Sequence, residues 1–187
     1  SRSYKRMKIK RVFFDQVYLL EPTVYDDHRG FFLESYSKKD FEELGIPGDF
    51  VIEGHSFSKD KDTIRGLHFQ IPPCGQEILV RVVCGSVMDV LVDVRKDRQS
   101  FGQYIITNLS EENKNQLFIP AGFAHGFLTL TGDVHMIYKM TDYFSHAHDR
   151  TIRWNDPEIN IPWDTETPIM SEKDKNAVLL NEIDELY

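Results

Sequence analysis

The chain has 187 residues, 41% of them hydrophobic and 12% aromatic, with a formal charge of −8; this describes a single domain over residues 1–187 that buries a core without disulfide or metal staples. The acidic balance and scattered lysines and arginines exclude non-specific attraction to nucleic acid, and an anionic substrate has to be held by a few placed cationic side chains. No apolar run approaches the roughly 18 to 20 residues that cross a bilayer, and residues 1–6 lack the apolar stretch of a secretory signal, so the cytoplasm is the expected location.

Those first six residues form a basic lead before Met7, read as an added leader and set aside. Residues 8–24 read as a strand pair, with Pro22 confining the second strand to an edge or an ending. Asp26-Asp27-His28-Arg29-Gly30 is a turn, and residues 31–36 are a further strand. Ser37 then heads Ser-Lys-Lys-Asp-Phe-Glu-Glu-Leu-Gly, which predicts an N-capped helix of about two turns ending at Gly45.

From Thr63 to Arg95 three strands are predicted, the first carrying His68. In the third, Met88, Val90, Val92 and Val94 face one side and Val87, Asp89, Leu91 and Asp93 the other. The first side is core. The mixed side is either an exposed sheet face or the polar interior of a ligand-holding barrel, and alternation alone favours exposure. Further strands follow every 10 to 12 residues or so with Gly or Pro turns between them, the pattern of a mainly β sandwich or jelly roll. Nothing alternates strand with long helix, which argues against a doubly wound α/β fold. The end of the chain, residues 172–187, reads as a helix capped by Ser171 with Val178, Leu179, Ile183 and Leu186 on one face.

Cys74 and Cys84 lie near turns without a Cys-x-x-Cys pair, so both are expected as free thiols. His68 lies in a strand between Leu67 and Phe69. Its plain reading is a core-edge histidine satisfied by a carbonyl; its functional reading is a general base. A second stranded segment, Leu117 to Thr141, carries His125, His135 and Tyr138, and Ser171-Glu172-Lys173-Asp174 forms a third. These three segments are expected to meet in one pocket. Jelly rolls that bind metal present paired histidines one residue apart, but Gln70 occupies that place after His68 and His146-Ala-His148 lies in a polar, turn-like stretch, so no metal is expected. The Gly-x-Ser-x-Gly elbow, the Walker loop and the Gly-x-Gly-x-x-Gly turn are all missing, which disfavours hydride transfer with a nicotinamide. The remaining set of His, Tyr, Asp, Arg and Lys suits proton transfer.

Arg-Gly-Leu-His-Phe-Gln (65–70), the run 80–95, Phe-Ile-Pro-Ala-Gly-Phe-Ala-His-Gly-Phe (118–127), Tyr-Lys-Met-Thr-Asp-Tyr (138–143) and Ile-Arg-Trp-Asn-Asp-Pro (152–157), in that order, resemble the dTDP-4-dehydrorhamnose 3,5-epimerase family from about residue 10 to Asp174. The resemblance implies a cupin-type jelly roll (double-stranded β-helix) with short peripheral helices. It implies an isomerase of a nucleotide-linked 4-keto-6-deoxyhexose, serving deoxysugar and polysaccharide biosynthesis. A C4 ketone acidifies the protons on both neighbouring carbons, so a base removes one, an enolate forms, and an acid on the opposite ring face returns a proton. No metal or redox cofactor is required. By this resemblance His68 is the base, Asp174 its carboxylate partner and Tyr138 the acid; their plain readings are a strand histidine, a first-turn helix acid and a strand aromatic. Arg65 and Lys173 match positions near the diphosphate and sugar, His125 a pocket histidine, and Phe144 a stacking aromatic. Arg29 and Glu34 match residues that reach the nucleotide in a neighbouring subunit, which implies a homodimer with an exchanged N-terminal strand.

Four positions depart from the family pattern. Ile78 stands where a pocket lysine is usual, Ile52 and Gly54 replace two polar ligand contacts, and Phe144 stands where the stacking aromatic is usually tyrosine. Loss of one stabiliser of a developing oxyanion costs on the order of 3 to 4 kcal/mol, roughly 10² to 10³ in rate. Glu77 is adjacent, but alternation turns it to the opposite face from Ile78. Changes confined to ligand contacts, with acid and base retained, predict a different nucleotide or sugar, such as a CDP-linked one, or inversion of C3 or C5 alone. A non-catalytic sugar-nucleotide-binding cupin is the rival from another class.

Overall fold

A computed structural model describes residues 7–187; the leader over residues 1–6 lies outside the described residues. In chain order the strands are β1 (Met7–Phe13), β2 (Val17–Pro22), β3 (Tyr25–Asp27), β4 (Gly30–Phe32), β5 (Ile52–Ser58), β6 (Ile64–Gln70), β7 (Ile78–Cys84), β8 (Ser86–Asp93), β9 (Tyr104–Ser110), β10 (Gln116–Ile119), β11 (Phe123–Thr129), β12 (Val134–Met140) and β13 (Asp149–Thr151). Helix α1 spans Lys38–Leu44 and a single turn, α2, spans Glu172–Lys175. Two antiparallel sheets face each other as a jelly roll: a six-stranded sheet in the order β1-β2-β10-β7-β12-β5 and a five-stranded sheet in the order β13-β6-β11-β8-β9. The β3–β4 hairpin stands apart as a two-stranded sheet.

The core lies in three layers. Val80, Val82, Leu91, Leu109, Leu117, Phe127 and Met136 come from both sheets and fill the space between them. Leu67, Phe69, Val90, Val92 and Leu128 cover the outer face of the five-stranded sheet with Ile152, Ile159, Leu180 and Ile183 from the C-terminal segment. Leu20, Leu79 and Phe118 of the six-stranded sheet pack against Phe41 of α1. Helix α1 forms as its caps predict: Ser37 accepts from the Asp40 N–H, and Gly45 closes it at φ 70°, a left-handed conformation that favours glycine.

One row of side chains turns the core into a cavity. Along β12, Val134 and Met136 belong to the inner core, whereas Tyr138 and Met140, at the same period of two, line an open cavity. On the antiparallel neighbour β7, Val82 and Val80 are core and Ile78 lines the cavity. The inner row therefore becomes a pocket wall at one end of the sandwich.

Two expectations are corrected. The mixed face of β8 is not exposed: Asp89 is 1% and Asp93 0% accessible, because this is the inner face, whose Val87 and Leu91 pack against the other sheet, while the C-terminal segment covers the opposite, outer face. Asp93 survives there by accepting from the Arg95 backbone N–H, from Arg95 Nε and Nη2, and from the Ser100 hydroxyl. Burial alone would raise its pKa, yet these bonds leave it lowered. The second correction is the C-terminal helix over residues 172–187. Only α2 and a 3₁₀ turn, Leu180–Glu182, form. Tertiary backbone bonds take the place of helical ones: Arg153 N–H donates to the Val178 carbonyl, Leu180 N–H to Asp156 Oδ2, and Leu180 and Ile183 bury where a continuous helix would have turned Leu179.

Candidate active site

The cavity has a volume of about 670 Å³ and collects Arg65, His68, Gln70, His125, Tyr138, Phe144, Lys173 and Asp174 on its walls. All three sequence segments thus meet in one place. His68 Nε2 lies 2.6 Å from Asp174 Oδ1, and the other carboxylate oxygen accepts from the Gly66 N–H at 3.0 Å. Asp174 is carried on α2, whose N-cap Ser171 accepts from the Asp174 N–H, and the preceding residues are tied to the start of β6 by the Ile64 N–H to Ile169 carbonyl bond. Burial pushes the Asp174 pKa up, but the hydrogen bond to His68, the charge of His68, the Gly66 N–H and Lys173 together leave it lowered.

Arg65 and His68 are three residues apart, a spacing that puts strand side chains on opposite faces, yet both line the cavity. The pairing of β6 with β11 shifts register between His125↔His68 and Phe127↔Arg65. That irregularity, centred on Gly66 at φ 116°, re-aims Arg65 in the manner of a bulge. A Cβ on Gly66 would stand 2.6 Å from the His125 carbonyl oxygen, so the close approach of the two strands requires glycine. Arg65 is held by Ser58 Oγ at 3.0 Å and by the Phe57 carbonyl at 2.7 Å.

Tyr138 enters from the other sheet. Its hydroxyl is 3.0 Å from Ser56 Oγ, and burial pushes its pKa up to about 12, so it is a protonated phenol at neutral pH. His125 is directly across from His68 in register, and its Nε2 lies 2.8 Å from Asp89 Oδ2. Burial drives the Asp89 pKa up against the opposing influence of His125. Lys173 Nζ donates to Asp149 Oδ2 at the rim.

Three of these departures, Ile78, Ile52 and Gly54, converge on one methionine. Met140 is the register partner of both Ile78 and Ile52, and its methyl lies 3.4 Å from where a Cβ at Gly54 would be. Ile78 and Met140 both line the cavity, so an apolar wall occupies the place of the polar contacts. Glu77 is absent from the lining, as alternation predicts.

Arg29 and Glu34 are not among the cavity residues. Arg29 is at the turn of the β3–β4 hairpin, paired with Asp27, and the hairpin exposes Phe31 and Phe32 by 57% and 64%. Sequence reading missed Ser56, Asp149 and Tyr187 as wall or partner residues, and took Asp89 for a surface carboxylate. Only the inward phase of Asp89, shared with Leu91, signalled its place. Cys74 and Cys84 are free. Among the described residues, no three His, Cys, Asp or Glu side chains stand close enough to hold a metal ion, and no helix is long and apolar enough to cross a membrane.

A sequence profile described as dTDP-4-dehydrorhamnose 3,5-epimerase matches residues 12–182. The enzyme of that name from Salmonella typhimurium is 49% identical over 168 residues, 89% of this chain and 91% of its own length. The crystal structure of the dTDP-4-dehydrorhamnose 3,5-epimerase of Bacillus anthracis, with TDP and pyrophosphate bound, is similar at a TM-score of 0.91 and 46% identity, covering 92% of this chain and 99% of the other. That of the dTDP-6-deoxy-D-glucose-3,5-epimerase of Legionella pneumophila, in complex with dTDP-4-keto-L-rhamnose, gives 0.90 and 43%, covering 95% of each chain. With its jelly-roll fold, its cavity and matches over nearly its whole length, the chain belongs to the dTDP-4-dehydrorhamnose 3,5-epimerase family.

Proposed function

We propose that the chain is a cytoplasmic 3,5-epimerase of a dTDP-linked 4-keto-6-deoxyhexose, with His68 as base and Tyr138 as acid. The observation that carries this reading is the entry of His68 from the five-stranded sheet, backed by Asp174 of α2, and of Tyr138 from the six-stranded sheet into one cavity. A sugar ring between the sheets presents one face to each. With Nε2 engaged by Asp174, the basic nitrogen of His68 is Nδ1, and the neighbouring carboxylate stabilises the imidazolium that forms when a carbon proton is taken. The enolate then receives a proton on its other face from the Tyr138 phenol, which remains protonated until pH rises to about 12. Arg65 and Lys173 supply positive charge for the diphosphate in a chain that is acidic overall. The relatives described above are double epimerases, which favours inversion at both carbons over the altered-substrate reading drawn from Ile78, Ile52 and Gly54.

The position of Arg29 and Glu34 outside the cavity supports a homodimer in which the β3–β4 hairpin completes the neighbouring site. Two experiments test these statements. Proton NMR of dTDP-4-keto-6-deoxyglucose incubated with the protein reads inversion at C3 and C5 from the ring couplings; His68→Asn is expected to be inert, and inversion by that variant at the wild-type rate refutes the assignment. Co-expression of His68→Asn with Arg29→Ala chains regains activity if the hairpin crosses between subunits, because one site of each mixed dimer is then intact. Failure of every mixture to exceed the separate variants refutes the exchange.

A further inference from the structure

One carboxamide holds both peptide groups that flank Phe144. Gln70 Nε2 donates to the Tyr143 carbonyl at 3.2 Å and to the Cys74 carbonyl at 2.7 Å, and Gln70 Oε1 accepts from the Ser145 N–H at 2.8 Å. Gln70 is 4% exposed and follows His68 by two residues, so it projects into the cavity wall on the same side of β6. The Gln70 backbone carbonyl is itself fixed by the Tyr187 hydroxyl, which also lines the cavity. Phe144, by contrast, is 64% exposed, so its own packing does little to fix the ring, and its orientation depends on the backbone on either side.

We infer that Gln70 is a positioning residue that sets the Phe144 ring as a wall of the substrate site, with Tyr187 anchoring Gln70 from behind; this rests on the function proposed above. The chemistry singles out glutamine. A carboxamide offers two N–H donors and an acceptor oxygen, matching the two carbonyls and one N–H that it meets. An ionised glutamate is the same size but only accepts, and would turn a charge toward the Tyr143 and Cys74 carbonyls. Asparagine falls short by a methylene. The glutamine that disqualified the strand as a metal site thereby has a role of its own, two residues from the base.

The test is a double-mutant cycle on the full chain. Gln70→Glu and Phe144→Ala are each expected to lose roughly 10-fold or more in kcat/KM, the scale of one stacking contact, with the Gln70→Glu loss falling mainly in KM. Added to Phe144→Ala, Gln70→Glu is expected to cost less than about 3-fold more, because its effect passes through a ring already removed. Losses that multiply, or a Gln70→Glu enzyme with unchanged KM, overturn the inference. If Gln70→Glu does not give a cooperative melt, Gln70→Met takes its place in the cycle. Calorimetric binding of dTDP to the same four proteins separates the two readings. Absence of turnover by the wild type refutes the proposed function, while coupled losses in dTDP affinity still uphold the clamp and independent ones refute it.

Discussion

Replacing Asp174 by Asn keeps the shape of the side chain and removes its charge. The Asn oxygen takes over the Gly66 N–H, 3.0 Å from the present carboxylate, which leaves the amide N–H₂ facing His68 Nε2 in place of an oxygen 2.6 Å away. Nε2 must then accept a hydrogen bond, and the ring proton moves to Nδ1, the nitrogen assigned to the substrate. Loss of a charge-assisted bond to the imidazolium is worth about 1.5 to 3 kcal/mol, or roughly 10- to 10²-fold. The wrong tautomer brings the total to about 10² to 10⁴. The assay is deuterium uptake from D₂O into the substrate, compared at equal enzyme concentration. Retention of more than about a tenth of the wild-type rate refutes the dyad. The same variant has a stability signature. The folded pKa of Asp174 is lowered, so its contribution is present above the unfolded value of about 3.9 and is lost as pH falls through the folded value. Wild-type and Asp174→Asn melting temperatures should therefore converge in acid, and a gap that stays constant contradicts the assignment.

Tyr138→Phe removes the proposed acid and leaves the proposed base, so it should wash deuterium into the starting sugar from the His68 face while inversion falls by about 10² to 10⁴; NMR distinguishes labelled substrate from product, and undiminished inversion excludes Tyr138. Burial pushes Tyr138 and Tyr187 up to about 12, and because a raised folded pKa costs stability as pH climbs from the unfolded value of about 10 through the folded one, the protein should destabilise in that window. An ultraviolet titration should show both phenols ionising late, one fewer in Tyr138→Phe. Gly66→Ala places a Cβ 2.6 Å from the His125 carbonyl at a φ of 116°; a cost of 2 kcal/mol or more, about 4 to 8 °C in Tm, is expected by thermal melting, with activity lost alongside it.

Much of this was legible because it is local. The Ser37 and Gly45 caps define α1, and the period of two in residues 86–95 defines the faces of β8. Coverage of those faces is not local. Asp89 finds His125 from a strand 36 residues on, and no alternation pattern announces that a C-terminal segment will cover the opposite side. The apolar residues near the end of the chain suggested a helix, yet their backbone partners, Arg153 and Asp156, lie more than twenty residues earlier. Within the site, His68, Asp174 and Tyr138 came from resemblance, and their convergence required the fold. The reason Arg65 joins them, a register shift at Gly66, could not be read from the spacing, which by itself sends it to the other face.

The central claim is that base and acid act on opposite faces of one sugar at two carbons, and deuterium labelling tests it most directly. dTDP-4-keto-6-deoxyglucose incubated with the wild-type protein in D₂O is followed by proton NMR, with His68→Asn alongside. Loss of the C3 and C5 proton signals together with inversion at both carbons, absent in His68→Asn, is the predicted result. Retention of both protons by the wild-type sample, or equal exchange in the His68→Asn sample, would contradict it.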